Sequence, residues 1–159
     1  IITSYPLGVY KLYLFTRKGE SAITSYQQLA NKKVGGMLGY EAYYSELREQ
    51  GVAINYVSNE LSQMKLFIAQ DVNVILAFLP DWLPHLKQLN YAASFPVRIG
   101  YDAMTARNTP EGRQFINNIS VALQAMHKDG TIETLMGLRY LSFEYTPSQP
   151  YEWRAAQPF

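Results

Sequence analysis

Lys33-Val-Gly-Gly-Met-Leu-Gly-Tyr-Glu-Ala-Tyr-Tyr-Ser-Glu-Leu47 decides how the rest of this 159-residue chain is read. It reads as a short buried strand, a glycine-rich turn and the opening of a helix. A helix start leaves backbone N–H groups unpaired and carries partial positive charge, so it can hold a carboxylate or a phosphate. Gly35, Gly36 and Gly39 let the backbone turn sharply and approach a ligand closely. The stretch therefore predicts a small-molecule binder without saying which molecule. A tight strand-to-helix connection also needs glycine on structural grounds alone.

Working outward, residues 9–16 alternate with β-branched and aromatic side chains and read as a strand. Ser25-Tyr-Gln-Gln-Leu-Ala makes a helical turn, 33–37 a strand, and 40–50 a helix closed by Gly51. Residues 52–57 are a further strand. Ser58 is the expected cap of a helix with Leu61, Met64, Phe67 and Ile68 on one face. Residues 72–78 are almost continuously apolar, as a strand buried on both sides requires. A short helix over 80–89 and a strand over 95–101 follow. Strands alternating with helices predict an α/β unit with a mainly parallel sheet flanked by helices.

The pattern then changes. Thr109-Pro110 signals a capped helix with proline at its first position, carrying Phe115, Ile116, Ile119, Leu123 and Met126 on one face. Gly130 stops it. Thr131 is read as the cap of a second helix with Ile132, Leu135 and Leu138. Residues 141–159, with Pro147, Pro150 and Pro158, are expected to be extended.

Composition narrows the function classes. A net charge of +1 and scattered Lys and Arg give no electrostatic reason to expect nucleic acid or an acidic membrane as partner. Hydrophobic residues make up 48%, enough for a packed core, while charged residues make up 17%, against roughly 25% in a typical globular protein. There is no cysteine, which excludes disulfides, thiolate metal sites and a cysteine nucleophile. No apolar run approaches the roughly 20 residues of a membrane span. The chain opens at Ile1 with neither an initiator Met nor a signal peptide, and so reads as processed or truncated. Thirteen tyrosines give many flat apolar faces with polar tips, suited to pockets and interfaces as well as to core edges.

Four segments taken in order carry a resemblance. They are Ser4-Tyr-Pro6; Tyr26-Gln-Gln-Leu-Ala-Asn-Lys-Lys-Val-Gly35 before the glycine turn; Gln70-Asp-Val-Asn-Val-Ile-Leu76; and Ala122-Leu-Gln-Ala-Met-His-Lys-Asp-Gly-Thr-Ile132. Together, across roughly residues 3–140, they resemble the bacterial extracellular solute-binding proteins of family 3, the periplasmic amino-acid-binding type. That resemblance implies a type II periplasmic-binding-protein fold, two α/β lobes on a hinge that close on a solute delivered to an ABC-type permease. On that pattern residues 1–8 are a hinge segment and 9–100 the second lobe. Residues 101–140 recross the hinge and supply C-terminal helices of the first lobe, and 141–159 are a tail. Most of the first lobe is then missing, to be completed by further sequence or by another chain.

Two departures bear on the ligand. The family usually places Ser or Thr after the glycine of the turn, to bind an α-carboxylate; here Gly39 is followed by Tyr40 and Glu41. The family commonly places Asp just after the buried strand, to pair with an α-ammonium; the matching residue here is Phe78, with Asp81 close by. Amino-acid-like and aromatic or less polar ligands are therefore both expected. The ligand contacts implied are Tyr5 at the hinge, Gly39, Tyr40 and Glu41 at the helix start, and Phe78 and Trp82 at the strand end. Trp82, between Pro80 and Pro84, is expected at the rim of the site.

Other chemistries find no motif. Gly36-x-x-Gly39 lacks the glycine that a dinucleotide fingerprint needs at position 34, and no Gly-Lys-Ser/Thr occurs. His85 and His127 have no partners at metal-ligand spacing. There is no Gly-x-Ser-x-Gly elbow and no acid/base carboxylate pair. The expectation is a periplasmic binding protein with no catalytic residue, metal or cofactor. The alternatives are a ligand-sensing module of a membrane signalling protein, a periplasmic lyase or dehydratase of the same fold, and a lobe kept only for protein contact.

Overall fold

The computed structural model describes residues 1–145 and 154–155. Of the tail expected over 141–159, residues 146–153 and 156–159, including Pro147, Pro150 and Pro158, lie outside the described residues. In chain order the strands are β1 (Ile2–Thr3), β2 (Gly8–Arg17), β3 (Val34–Met37), β4 (Ile54–Val57), β5 (Val74–Phe78), β6 (Leu89–Asn90), β7 (Arg98–Asp102), β8 (Thr105–Ala106) and β9 (Arg154–Ala155). The α-helices are α1 (Ser45–Glu49), α2 (Glu60–Ile68), α3 (Leu79–Trp82), α4 (Pro110–Lys128) and α5 (Thr131–Met136). The described chain divides into two units, one of Ile1–Tyr10 and Gly100–Phe159, the other of Lys11–Ile99.

The unit Lys11–Ile99 is built on a mixed sheet in the order β4-β3-β5-β2-β6, with β7 also pairing with β2. Its centre is parallel, β3 running alongside both β4 and β5. β2 joins antiparallel to β5, Leu12 opposite Phe78 and Phe15 opposite Ile75, and β6 joins antiparallel to β2. The alternation of β2 explains this double burial. Leu12 and Leu14 point into one cluster with Val34, Tyr44, Leu47, Val74 and Leu76. Phe15, next after Leu14 and so on the opposite face of the strand, meets Trp82 and Tyr91 instead. Val74, Ile75 and Leu76 are sealed from solvent, and each such side chain contributes about 1.5–3 kcal/mol by leaving water.

Local chemistry moves several expected boundaries. The helix expected over 40–50 opens as a 3-10 turn, Glu41–Tyr44, and only Ser45–Glu49 is α-helical. Tyr44 is the reason: its ring is buried, and its hydroxyl returns to accept the Met37 N–H at 3.1 Å, which winds the turn tightly. Gly51 ends the segment at φ 75, as a C-cap requires. Asn59, not Ser58, caps α2, its Oδ1 accepting the Ser62 N–H at 2.8 Å. The buried side of that helix carries Gln63 and Phe67, while Leu61 and Ile68 are exposed. The expected apolar stripe is displaced because a glutamine takes a core position. The helix expected over 80–89 is α3 followed by a 3-10 segment, Leu83–Gln88, where Pro84 supplies no N–H to continue an α-helix.

In the other unit, β1 pairs antiparallel with β8 and β9. Thr109 caps α4 as expected, its hydroxyl accepting the Gly112 N–H at 3.1 Å. Ile116, Ser120 and Leu123 face inward, whereas Phe115 is exposed. The Ser120 hydroxyl accepts the Tyr5 N–H and donates to the Ile116 carbonyl, which explains a buried serine on an apolar face. Gly130 at φ 80 takes the cap position expected for Thr131, whose N–H is held by the Asp129 carboxylate. Ile132 is buried, while Leu135 and Leu138 are exposed.

Candidate functional site

Parallel strands deliver their following loops to one edge of the sheet, and that edge is where open α/β sheets hold ligands. Here β3, β4 and β5 bring Met37, Glu60, Phe78 and Asp81 to a common edge, with Tyr40 following the glycine turn. Met37, Tyr40, Tyr44, Glu60, Gln63, Leu76, Ala77, Phe78, Asp81 and Trp82 surround a crevice of about 10 Å³. Of the six expected contact residues, Tyr40, Phe78 and Trp82 line this crevice, and Gly39 and Glu41 lie in the turn after β3. Gly39 sits at φ 89, a conformation that side chains other than glycine rarely adopt. Gly35 and Gly36 lie buried within β3 and make no turn. Position 36 stays small because a Cβ there would meet Ile54 and the Tyr44 ring at 2.8 and 2.9 Å.

The rings form a continuous edge-on set. Phe78 meets Tyr40 and Tyr43 with centroids 5.3 Å away in each case and planes at 90°, and Tyr40 and Tyr43 lie 6.0 Å apart. Phe78, Tyr40 and Tyr43 thus form an aromatic wall beside the crevice. Trp82 corrects its expected rim position. It is only 3% exposed and stacks on Phe15 at 6.4 Å, so the indole belongs mainly to the core and reaches the crevice from beneath. Tyr5 belongs to the other unit, where its ring packs against His127 and Tyr145. Burial raises the Tyr5 phenol above its ordinary pKa, with Tyr145 and Tyr140 adding to the effect.

The electrostatics of the turn differ from a simple anion cradle. The Glu41 carboxyl is held below the usual carboxylate range by its own backbone N–H, then by that of Gly39, with Arg48 adding a smaller pull. The Glu41 carboxylate thus stands close to the backbone N–H groups of its own turn. A second carboxylate, Glu46, is pushed up by desolvation, but its own N–H, Arg98 and Ser45 bring it below its ordinary value. Arg98 reaches Glu46 at 3.2 Å and the Ala42 carbonyl at 3.2 Å, which ties the turn to the start of β7. Burial pushes the Tyr44 phenol up to about 12.

Gln63 is the site residue that the sequence did not disclose. It is 1% exposed, and its Nε2 donates to the Gly35 and Leu76 carbonyls, each at 3.1 Å. Both partners are acceptors, so the amide orientation is fixed. Its Oε1 is buried and meets no donor. The available signal was spacing: Gln63 lies four residues before Phe67 and shares its face of α2.

A larger cavity, about 440 Å³, is lined by Arg17, Lys18, Met64, Phe67, Ile68, Gln70, Lys87, Gln88 and Leu89. β2 runs antiparallel to β5, so this end of β2 lies away from the edge where Phe78 stands. Its guanidinium is structural: Arg17 donates to the Phe67 and Val72 carbonyls and pairs with Glu20. Among the described residues, no group of three or more His, Asp or Glu side chains is placed to hold a metal ion. Nor is any helix there long and apolar enough to cross a membrane.

The fold is that of the type II periplasmic binding proteins. An ancestral arginine-binding protein bound to glutamine is 22% identical, with a TM-score of 0.62, over 84% of this chain and 60% of its own. The GluR0 ligand-binding core from Nostoc punctiforme, in complex with L-glutamate, is 18% identical, with a TM-score of 0.68, over 84% and 62%. The second substrate-binding domain of a putative amino acid ABC transporter from Streptococcus pneumoniae is 18% identical, with a TM-score of 0.57, over 88% and 64%. The chain thus spans 60–64% of the length of these structures. No protein-family model and no curated protein matches it.

Proposed function

We propose that this chain is the ligand-binding part of a periplasmic solute-binding protein, taking an amino-acid-like or aromatic solute for ABC-type uptake. The observation that carries the reading is the sheet edge itself. A glycine turn, three interlocking rings and two carboxylates converge where parallel strands end, on a fold shared with amino-acid-binding structures. In this reading Lys11–Ile99 is the second lobe, 1–8 and 101–140 supply the hinge and the C-terminal helices of the first, and Gly39, Tyr40, Glu41, Phe78 and Trp82 line one wall of the ligand site. Tyr5 is the contact assigned to the hinge, and a permease is the partner that receives the solute.

The fold also supports a sensing role, since the GluR0 core that it resembles is a ligand-binding core in its own right. Both roles begin with the same event, reversible binding without turnover. A thermal-shift screen of amino acids, opines and aromatic acids tests it. A solute at a hundredfold excess over its Kd stabilises the bound state by about 2.7 kcal/mol, a rise of roughly 5–11 °C for a chain of this size. A screen in which no compound raises the melting temperature contradicts the proposal.

A further inference from the structure

We propose that the cavity at the end of β2 that lies away from Phe78 is a second binding site, one that takes an aliphatic monocarboxylate. Lys18 and Lys87 receive the carboxylate, and Met64 and Ile68 receive the tail. All the residues that line this cavity belong to the unit Lys11–Ile99, so the site is complete within it. Its volume of about 440 Å³ falls in the range, roughly 300–1,000 Å³, of pockets that hold small molecules. The assignment stands apart from the solute edge and does not depend on it.

Charge selects the head group. Arg17, Lys18 and Lys87 line the cavity, and no Asp or Glu does. Arg17 is already engaged: it donates to the Phe67 and Val72 carbonyls and pairs with Glu20. The fork that would grip a phosphate bidentately is therefore occupied. The same bonds cover carbonyl oxygens at the end of α2 that would otherwise repel an anion. Lys18 and Lys87 are different. Both are exposed, and among the described residues neither is paired with a carboxylate. Two like charges on one cavity repel each other, and a single anion shared by them relieves that repulsion.

The wall selects the tail. Ile68 leaves 68% of its surface in water at the last position of α2, and Met64 lies one turn earlier on the same face. Phe67 also lines the cavity, but it is only 3% exposed and carries the Arg17 guanidinium 4.4 Å from its ring centroid. A flat aromatic ligand finds little ring surface there to stack on. The accessible wall is aliphatic and thioether, which adapts to a flexible alkyl chain.

The test uses 1H–13C spectra of the full chain labelled at its methionine methyl groups, because Met64 lines this cavity and Met37 lines the crevice at the solute edge. The two signals are assigned by their loss in Met64→Leu and Met37→Leu. Butanoate, hexanoate, octanoate, 1-octanol and octyltrimethylammonium are titrated separately. The expected result is a saturable shift of Met64 with octanoate while Met37 stays still, with affinity rising roughly two- to fourfold per added methylene across the carboxylates. In the double variant Lys18→Gln, Lys87→Gln the affinity for octanoate falls about fivefold, as for exposed charges, and Ile68→Gln weakens it as well. These three side chains are exposed, so the variants keep the fold. The proposal is overturned if 1-octanol or octyltrimethylammonium moves Met64 at equal concentration as strongly as octanoate, or if affinity ignores chain length or the lysine substitutions. It is also overturned if octanoate leaves Met64 still, and a shift of Met37 alone would then place the carboxylate at the solute edge.

Discussion

Tyr44 shows how one side chain can carry both shape and chemistry. Its ring fills the core under β3, and its hydroxyl is the acceptor for the Met37 amide. Tyr44→Phe keeps the ring and orphans that amide, so it is expected to cost about 1–2 kcal/mol and to lower Tm by several degrees. The phenol's ordinary pKa is 10.0 and burial raises it to about 12. The protonated form therefore stabilises the fold fully below pH 10, and that contribution is lost as pH rises through 12. Melting curves between pH 9 and about 12 should fall less steeply for Tyr44→Phe than for the unmodified protein. An identical slope would show that Tyr44 does not titrate as described. Residues of this kind were only partly legible in the sequence. Gly39, Tyr40 and Phe78 announced themselves through a turn and an aromatic at a strand end. Gln63 did not, because a polar residue on a helix reads as solvent-facing until two strand carbonyls are seen to hold it. Trp82 misled for the opposite reason: flanking prolines suggested exposure, but Phe15 offers the indole a stacking partner.

At the scale of elements, the Thr109-Pro110 start was read correctly, the caps expected at Ser58 and Thr131 fell one residue away, and boundaries decided by packing were missed. Thr109 and Pro110 start α4 where their chemistry requires. Thr109→Ala removes the acceptor for the Gly112 N–H and should cost about 1 kcal/mol, visible as a lower urea midpoint with an unchanged m-value. No change in midpoint would remove the cap from the account of α4. By contrast, the segment after Gly39 was expected to be a regular helix, and its 3-10 opening follows from Tyr44 turning back to β3, a tertiary demand that no local signal carries. Gly36 records the same packing. A methyl group there would press on Ile54 and the Tyr44 ring, so Gly36→Ala is expected to destabilise by about 1–3 kcal/mol. Equal or greater stability by thermal melting would mean that the turn can move away from β3. The order of strands and helices was readable from hydrophobic periodicity. The antiparallel insertion of β2 between β5 and β6 was not, since the side-chain alternation of a strand carries no direction and the connections between β2 and β5 set it.

At the scale of the molecule, the likeness to amino-acid-binding structures fixes the fold at 18–22% identity, and the chemistry of the edge has to be argued from this chain's own residues. Two of those residues shape it: Phe78 at the end of β5, whose ring meets Tyr40 and Tyr43, and Glu41 in the turn after β3. The most direct measurement is a crystal structure of the chain soaked with the strongest solute from the thermal screen. The account predicts density for that solute at the end of β3 and β5, touching Tyr40, Phe78 and Asp81. Density confined to the cavity beside Lys18 and Lys87, with this edge unchanged, would contradict it.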